Sequence, residues 1–562
     1  MLAKIAATLR RQRPFWLLLI GAAILAAGYT AITFDADFIR GTATFWNNPQ
    51  GPWLADSTDT ENNVDILGSL SGYYAYAQGP WRFPVFLIPG VVPPEGTSGI
   101  FLDVIPIVAL VGKLLTAATG VLINPYGVWI AISLIGSAIA ASLLMALAGE
   151  QNWIGMLLGS LFALSAPPLL HRFGHLVLLG QFILIFALAL YVRAPRLRPR
   201  TALWTWLLLL GTALLIGVYF FAMCGAIYLA SWLDRLVLRP TRAAARWGEP
   251  IAIGLVLLVL MVVAGHIGRG TASPFSSGFG IFSMNLAAPF WPQRSGLLPG
   301  FWPIIDATGG QYEGFAYFGA GGLMLLAVAG FGSWRAIASY FATHRGLALA
   351  FAGLVVLALS NRIYLFENLL LDYSFSWRVD QILGTFRSSG RFFLPVYYAA
   401  LLGAGVLVLR RLPPAASLVV IVAATGLQLI DTEPLRARMT ALSHRNVPWA
   451  LPREEWMPRA ERAKAVFVMP SFNCAGSAGA DINMDIAMLT SLTKRPTNTV
   501  YNPRGRTDCA AEAATATVGP WRDDTLYILL SGFAASAPAR FTPPNLHCER
   551  FAQGTWCLGK AP

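Results

Sequence analysis

The chain has 562 residues, of which 56% are hydrophobic and 12% charged, and its mean hydropathy is +0.57. A soluble domain carries about 25% charged residues, so this composition excludes an ordinary soluble enzyme. The formal net charge of +13 sits in short Lys/Arg clusters between apolar runs, which marks membrane topology rather than a nucleic-acid surface.

Most apolar runs approach the roughly 20 residues that cross a hydrocarbon core as a helix. Helices satisfy their own backbone groups, so a helical bundle is expected. Lys4, Arg10, Arg11 and Arg13 precede the first run, 15–34, and the acidic segment 35–37 follows it with no A-x-A cleavage site. This reads as an uncleaved first helix with a cytoplasmic N-terminus. The other basic clusters are RAPRLRPR (193–200), RLVLRPTRAAAR (235–246), Arg335 with His344 and Arg345, and Arg410 with Arg411. Requiring all of them on the cytoplasmic side fixes the count. Helix 15–34 leads outward, the segment 35–126 is external, and 127–148 returns. The apolar stretch 103–122 is long enough to span, but spanning would put RAPRLRPR outside; it also carries Asp103, Pro106 and Lys113. It is therefore expected to lie on the outer surface. The remaining spans are 153–170, 176–193, 202–218, 220–236, 250–267, 316–332, 346–360, 393–409 and 415–431. The expected fold is an all-α polytopic membrane bundle of about eleven transmembrane helices over 1–431, multi-pass in a bacterial inner (plasma) membrane.

After Asp431 the composition turns polar. Short strand-like runs at 465–469 and 525–530 predict a small C-terminal extracytoplasmic α/β domain over 432–562. Four of the five cysteines fall there: Cys474, Cys509, Cys548 and Cys557. Disulfides belong to oxidising compartments, and four cysteines allow three pairings. Chain proximity favours Cys474–Cys509 and Cys548–Cys557. A metal site is the rival reading, with His547 nearby but no C-x-x-C spacing. Cys224 lies within a span and reads as an inert core thiol.

Three polar groups sit on the external side. The segment 35–126 carries Asp35, Asp37, Asp56, Asp59, Glu61, Asp65, Glu95 and Asp103, with aromatics as in GPWRFPVFLIPG (79–90), which includes Trp81. External segments this long are usually functional. Asp35 and Asp37, at the outer end of the first helix, suit a general base or a divalent-cation site, or simply a solvated helix end. HRFGH (171–175) with Gln181 places His171, Arg172 and His175 at the mouth of a helix pair, where they suit phosphate binding or proton relay. FRSSGRF (386–392) places Arg387 and Arg391 four residues apart at the outer surface, against the positive-inside bias. They suit a lipid-linked phosphate, or an ion pair with an acidic residue. No P-loop, G-x-S-x-G, H-E-x-x-H or dinucleotide fingerprint occurs in a usable context, and no cytoplasmic segment is large enough for a nucleotide-binding domain.

This layout resembles the GT-C integral-membrane glycosyltransferases. The shared features are a basic tail before the first helix and acidic residues after it, here Asp35 and Asp37. They continue with a long external segment ending in DVIPIVALVGKLL (103–115), a short cytoplasmic turn AGEQNWIG (148–155), a helix ending in SAPPLL (165–170), and a terminal external domain. The resemblance covers the membrane region and is strongest over 1–200; it is similar to bacterial GT-C-like proteins. It departs at HRFGH, where metal-dependent members carry an acidic residue, which puts a divalent cation in doubt. The resemblance implies a polyprenyl-phosphate-linked sugar donor, an extracytoplasmic glycan, lipid or protein acceptor, and inverting transfer. It implies Asp35 or Asp37 as base, and Arg387, Arg391 and His175 as donor-phosphate ligands; the placement of the Lys/Arg clusters argues against a nucleic-acid partner. Asp59, His171, Gln181 and Trp81 are further candidates for substrate contact. A transporter or flippase for lipid-linked saccharides, or an assembly factor, is the competing expectation.

Overall fold

The computed structural model describes residues 8–49, 51–52, 62–63, 65–238, 243–267, 278–298, 305–475, 479–502, 507–518, 521–531 and 545–559. Among them, nine helices are long and apolar enough to cross a membrane: Phe15–Thr33, Tyr126–Leu147, Leu176–Arg196, Pro199–Ile216, Val218–Val237, Trp247–Ala264, Ala320–Thr343, Ser389–Arg411 and Pro414–Asp431. Three shorter apolar helices accompany them, Pro106–Thr119, Trp153–Leu164 and Arg345–Leu359. Nine long and two short helices overlap the eleven expected spans, with Ala320–Thr343 running beyond the expected 316–332 and Trp153–Leu164 stopping short of the expected 153–170. The remaining one is the stretch expected to lie on the surface.

We label the helices used below α1 (Phe15–Thr33), α2 (Ala36–Arg40), α3 (Asp65–Gln78), α4 (Pro106–Thr119), α5 (Tyr126–Leu147), α6 (Trp153–Leu164), α7 (Phe182–Arg193), α8 (Pro199–Ile216), α9 (Val218–Leu238), α10 (Ala243–Ala264), α11 (Ala320–Thr343) and α12 (Arg345–Leu359). After them come α13 (Trp377–Gly384), α14 (Leu394–Arg411), α15 (Pro414–Asp431), α16 (Glu433–Ser443), α17 (Arg453–Arg462), α18 (Ala480–Thr493) and α19 (Cys509–Val518). Helix α1 shows how the bundle is built. Leu18, Ala22 and Ala26, four apart, are buried, while Trp16, Ile20, Ile24 and Ile32 on the other faces are exposed. A helix apolar all round, packed on one face and bare on the rest, is what a lipid surroundings requires.

The two ends of the bundle differ in chemistry. At one end the basic residues tie the helix ends together. Arg10 donates to Leu409 O (2.7 Å), Gln151 donates to Arg13 O (2.8 Å), and Arg410 faces Glu150 (3.6 Å). There too Asp234 accepts from Tyr191 Oη (2.6 Å) and from the backbone of Gly346 (2.7 Å), opening α12. At the opposite end, Phe34 and Phe38 stack on Phe173, and Asp431 accepts from the backbone N–H of Ala320 (2.7 Å). Both flanks of α4 lie at this second end: Asp103 beside His175, and Asn124 against Gly41. Helix α4 therefore leaves and returns to one end of the bundle and does not run through it.

The terminal region carries a four-stranded sheet of β3 (Ala465–Met469), β4 (Thr525–Leu530), β5 (Leu546–Phe551) and β6 (Gly554–Gly559), in the order β3–β4–β6–β5; β1 and β2 form a separate hairpin, Arg362–Leu365 with Asn368–Asp372. The two strands expected from sequence are β3 and β4, which pair in parallel with Ala465 opposite Thr525. Strand β4 is buried along its whole length, as befits a central strand. The β5–β6 hairpin carries no strand signal in the sequence, because LHCERF lacks an apolar run. Cys548 and Cys557 face each other across it and are disulfide-bonded, as are Cys474 and Cys509. Helices α17 and α18 cover one face through Trp456, Ile486 and Leu489.

The terminal region docks on the first external segment. Thr497 bridges Val91 on one side and Val466 of β3 on the other, so the loop 90–92 continues the sheet by backbone pairing. Val92 N–H donates to Thr497 O (2.8 Å), and Thr497 N–H donates to Gly90 O (2.9 Å). Gln78 at the end of α3 donates to Ser491 O (2.8 Å).

Candidate functional site

The turn between α6 and α7 brings Arg172 into the interior at the end of the bundle opposite the basic clusters, where it is 3% exposed. Its Nη1 donates to Glu313 Oε2 (2.6 Å), and its Nη2 to the Glu313 carbonyl. Arg391 grips the same carboxylate from the other side, Nε on Oε2 (2.9 Å) and Nη2 on Oε1. Two glycines make this possible. A Cβ on Gly390 would collide with Gly314, so only glycines let the 3-10 turns Gln311–Gly314 and Ser389–Phe393 touch. The Arg391 guanidinium also lies 4.8 Å over the Tyr219 ring. Burial pushes the Glu313 carboxyl up, but the two guanidiniums outweigh it and hold it well below the usual carboxylate range. Burial, then the Arg172 charge, pushes His171 well below its usual value, so it is neutral.

Asp65, Asp103, His175, Arg387 and Tyr501 lie within electrostatic reach of this buried brace or of one another. Asp65 opens α3 and is buried; burial pushes its carboxyl up, while His175 and a hydrogen bond with Tyr501 pull it down. Tyr501 comes from the terminal region and packs on Gly68 of α3, where a Cβ would lie 2.7 Å from its ring. Asp103 has φ +52°, and its Oδ2 is 3.9 Å from His175 Nε2. Its side chain is 37% exposed against 9% for His175, so this pair has an open side. Arg387 is half-buried, lies 5.5 Å over the Phe282 ring, and pairs with no carboxylate among the described residues.

The sequence candidates divide between this cluster and other places. His175, Arg387 and Arg391 are brought together. Asp35 and Asp37 are not: Phe34 and Phe38 turn inward to Phe173, and the two carboxylates face solvent. Asp35 pairs with His444 (2.8 Å) and Asp37 with Arg40 (3.3 Å). His171 packs on Phe315 with ring centroids 4.6 Å apart. Gln181 accepts from Tyr398 Oη (2.7 Å) and donates to Pro168 O (3.1 Å) inside the bundle. Trp81 and Tyr76 flank the Lys113 ammonium, which donates to the carbonyls of Tyr76 (2.8 Å) and Gly79 (2.9 Å) at the end of α3. Burial lowers Lys113 to about 8. Asp59 lies outside the described residues. Among the described residues no group of three or more His, Cys, Asp or Glu side chains is placed to hold a metal ion. Neither Glu313 nor Tyr501 stands out in the sequence. The one available signal for Glu313 was a lone carboxylate in QYEGF, just ahead of an apolar run.

Residues 8–433 match the family described as a domain of unknown function, DUF6311, and residues 455–559 match the DUF6311 C-terminal domain. The chain belongs to the DUF6311 family. No curated protein matches it. In this DUF6311 chain the two matched regions enclose a cavity of about 350 Å³ between α3, the loop 88–91 and residues 487–500. Helix α3 serves both places, with Asp65 in the charged cluster and Ser71, Ala75 and Gln78 on the cavity wall.

Proposed function

We propose that this protein is a membrane glycosyltransferase that moves a sugar from a polyprenyl-phosphate donor to an extracytoplasmic glycan, lipid or protein acceptor. The observation that carries the reading is the cluster at the bundle end opposite the basic clusters: an open Asp103–His175 pair and an Arg387 that pairs with no carboxylate among the described residues, with Asp103 and Arg387 both acting electrostatically on Tyr501. By the positive-inside rule that end is the outer one, with eleven spans, a cytoplasmic N-terminus and the terminal domain outside. Two disulfides suit that compartment, and a bacterial inner membrane provides it. The GT-C layout supplies the reaction type.

In the proposed reaction the acceptor hydroxyl gives its proton to the Asp103 carboxylate, which has the His175 imidazole 3.9 Å away. The acceptor oxygen bonds to the anomeric carbon as the bond from that carbon to the phosphate oxygen breaks, with inversion. Polyprenyl phosphate leaves, and the charge developing on it faces the Arg387 guanidinium. Arg391 has two of its donors committed to Glu313, so its part is to hold positive potential in place.

The test uses purified protein in lipid nanodiscs with a panel of polyprenyl-phosphate sugars, following release of polyprenyl phosphate with and without a chelator. Asp103→Asn lowers the rate by about 10²–10⁴, the range of general-base catalysis. Asp35→Asn and Asp37→Asn run beside it. Loss of activity there, with Asp103→Asn active, moves the base to the end of α1. If no donor in a broad panel is turned over, the enzyme reading falls.

A further inference from the structure

Helix α12 has 15 residues, which at 1.5 Å each give about 22 Å, short of the roughly 30 Å of a hydrocarbon core. It starts among the basic clusters, where Asp234 accepts from Gly346 N–H, and exposes Leu349 (68%) and Val356 (59%) on its lipid-facing side. At its far end Ser360, with φ +63°, turns the chain into the β1–β2 hairpin. The β1 side is anchored: Leu286 N–H donates to Tyr364 O (2.9 Å), and Asn285 holds both N–H and C=O of Phe366. The β2 side is open. All five of its residues are exposed, including Leu369 (48%), Leu370 (57%) and Leu371 (50%). Helix α13 follows with Trp377 and Ile382, each 64% exposed.

We propose that the β1–β2 hairpin and α13 are seated in the outer leaflet, at the boundary between headgroups and acyl chains. So large an apolar surface marks an interaction face. Its occupant is the bilayer, because it follows directly in the chain on α12, a helix bare on its lipid-facing side and too short to cross the hydrocarbon core by itself. Its depth follows from the backbone. An open strand edge is not tolerated in hydrocarbon, so β2 lies where headgroups and water reach it. The Arg362–Asp372 pair (3.5 Å) and the Trp377 side chain suit that level. Arg387 follows α13 by three residues, so this seat holds its guanidinium at the height of lipid phosphates. The inference rests on the membrane reading and is independent of sugar transfer.

The free thiol Cys224 is buried and the other four cysteines are in disulfides, so an introduced cysteine takes a probe alone. Leu370→Cys and Ile382→Cys, at two exposed positions, are labelled with an environment-sensitive fluorophore in phosphatidylglycerol–phosphatidylcholine nanodiscs. Lys464→Cys in the terminal domain is the aqueous control. Expected is a larger loss of fluorescence at 370 and 382 with a lipid spin-labelled near the headgroup than with an aqueous nickel chelate. Position 464 should respond in the opposite way. If 370 and 382 respond like 464, the hairpin is not in the membrane and the proposal is overturned. Quenching by lipid in a protein that turns over no donor keeps this proposal and removes only the enzyme reading.

Discussion

Glu313 is a carboxylate held between two buried guanidiniums, and the energetics of such a group are asymmetric. Assembled, the triad is worth little over an apolar core; with one partner removed, it leaves uncompensated charge. Glu313→Gln leaves Arg172 and Arg391 facing each other at the bundle end and is expected to cost about 3–5 kcal/mol. The measurement is the temperature at which Cys224, the free and buried thiol, becomes reactive to a thiol dye. An unchanged transition would show that the brace contributes nothing. The sequence showed Arg391 as an external arginine in want of an anion. It did not show which anion, because the partner lies 78 residues away and is brought in by two glycine-lined turns. The same pairing commits two Arg391 donors, so of Arg387 and Arg391 it is Arg387 that pairs with no carboxylate among the described residues. Asp35 and Asp37 were legible as the acidic end of α1. Their side-chain directions were not, because a five-residue helix can face either way until Phe34 and Phe38 find Phe173.

Within single elements, α18 carries a titrating group of the terminal domain. Asp485 is buried and accepts from the backbone N–H groups of Ala450 (2.6 Å) and Leu451 (3.2 Å), yet burial outweighs them and raises it from 3.8 to about 7. The folded state therefore keeps a proton between those values that the unfolded chain has lost. The resulting stability is fully present below 3.8 and is lost as pH rises towards 7. Unfolding of the terminal domain, followed through Trp456 and Trp556, should need more denaturant at pH 5 than at pH 8. Asp485→Asn should flatten that difference; a slope that persists in the variant assigns it to another group. The two disulfides differ in the loops they close, with sequence separations of 35 and 9. Loop entropy gives ceilings of about 4 and about 3 kcal/mol, so Cys474→Ser with Cys509→Ser should lower the melting temperature more than Cys548→Ser with Cys557→Ser. The reverse order would point to strain or denatured-state structure instead.

For the whole molecule, the proposed topology is open to a direct check. A phosphatase that works only in an oxidising compartment should be active when fused after Ser443 and inactive when fused after Arg411. Activity at both positions, or the reverse pattern, would overturn the outward assignment of the terminal domain. Composition and the spacing of Lys/Arg clusters determined by themselves that the chain forms many apolar helices, where most of them start and stop, and that a polar region with two strands follows. These are local properties: the length of an apolar run, the sign of the charges at its ends, and β-branched residues over five or six positions. Only the tertiary structure decided that both flanks of α4 sit at one end of the bundle, that Thr497 joins the terminal sheet to the loop 90–92, and that Glu313, Asp65 and Tyr501 meet the HRFGH turn. Those contacts join residues from tens to hundreds of positions apart. What selects them is which buried charges and backbone groups can satisfy one another once the helices pack, and no window of sequence carries that information.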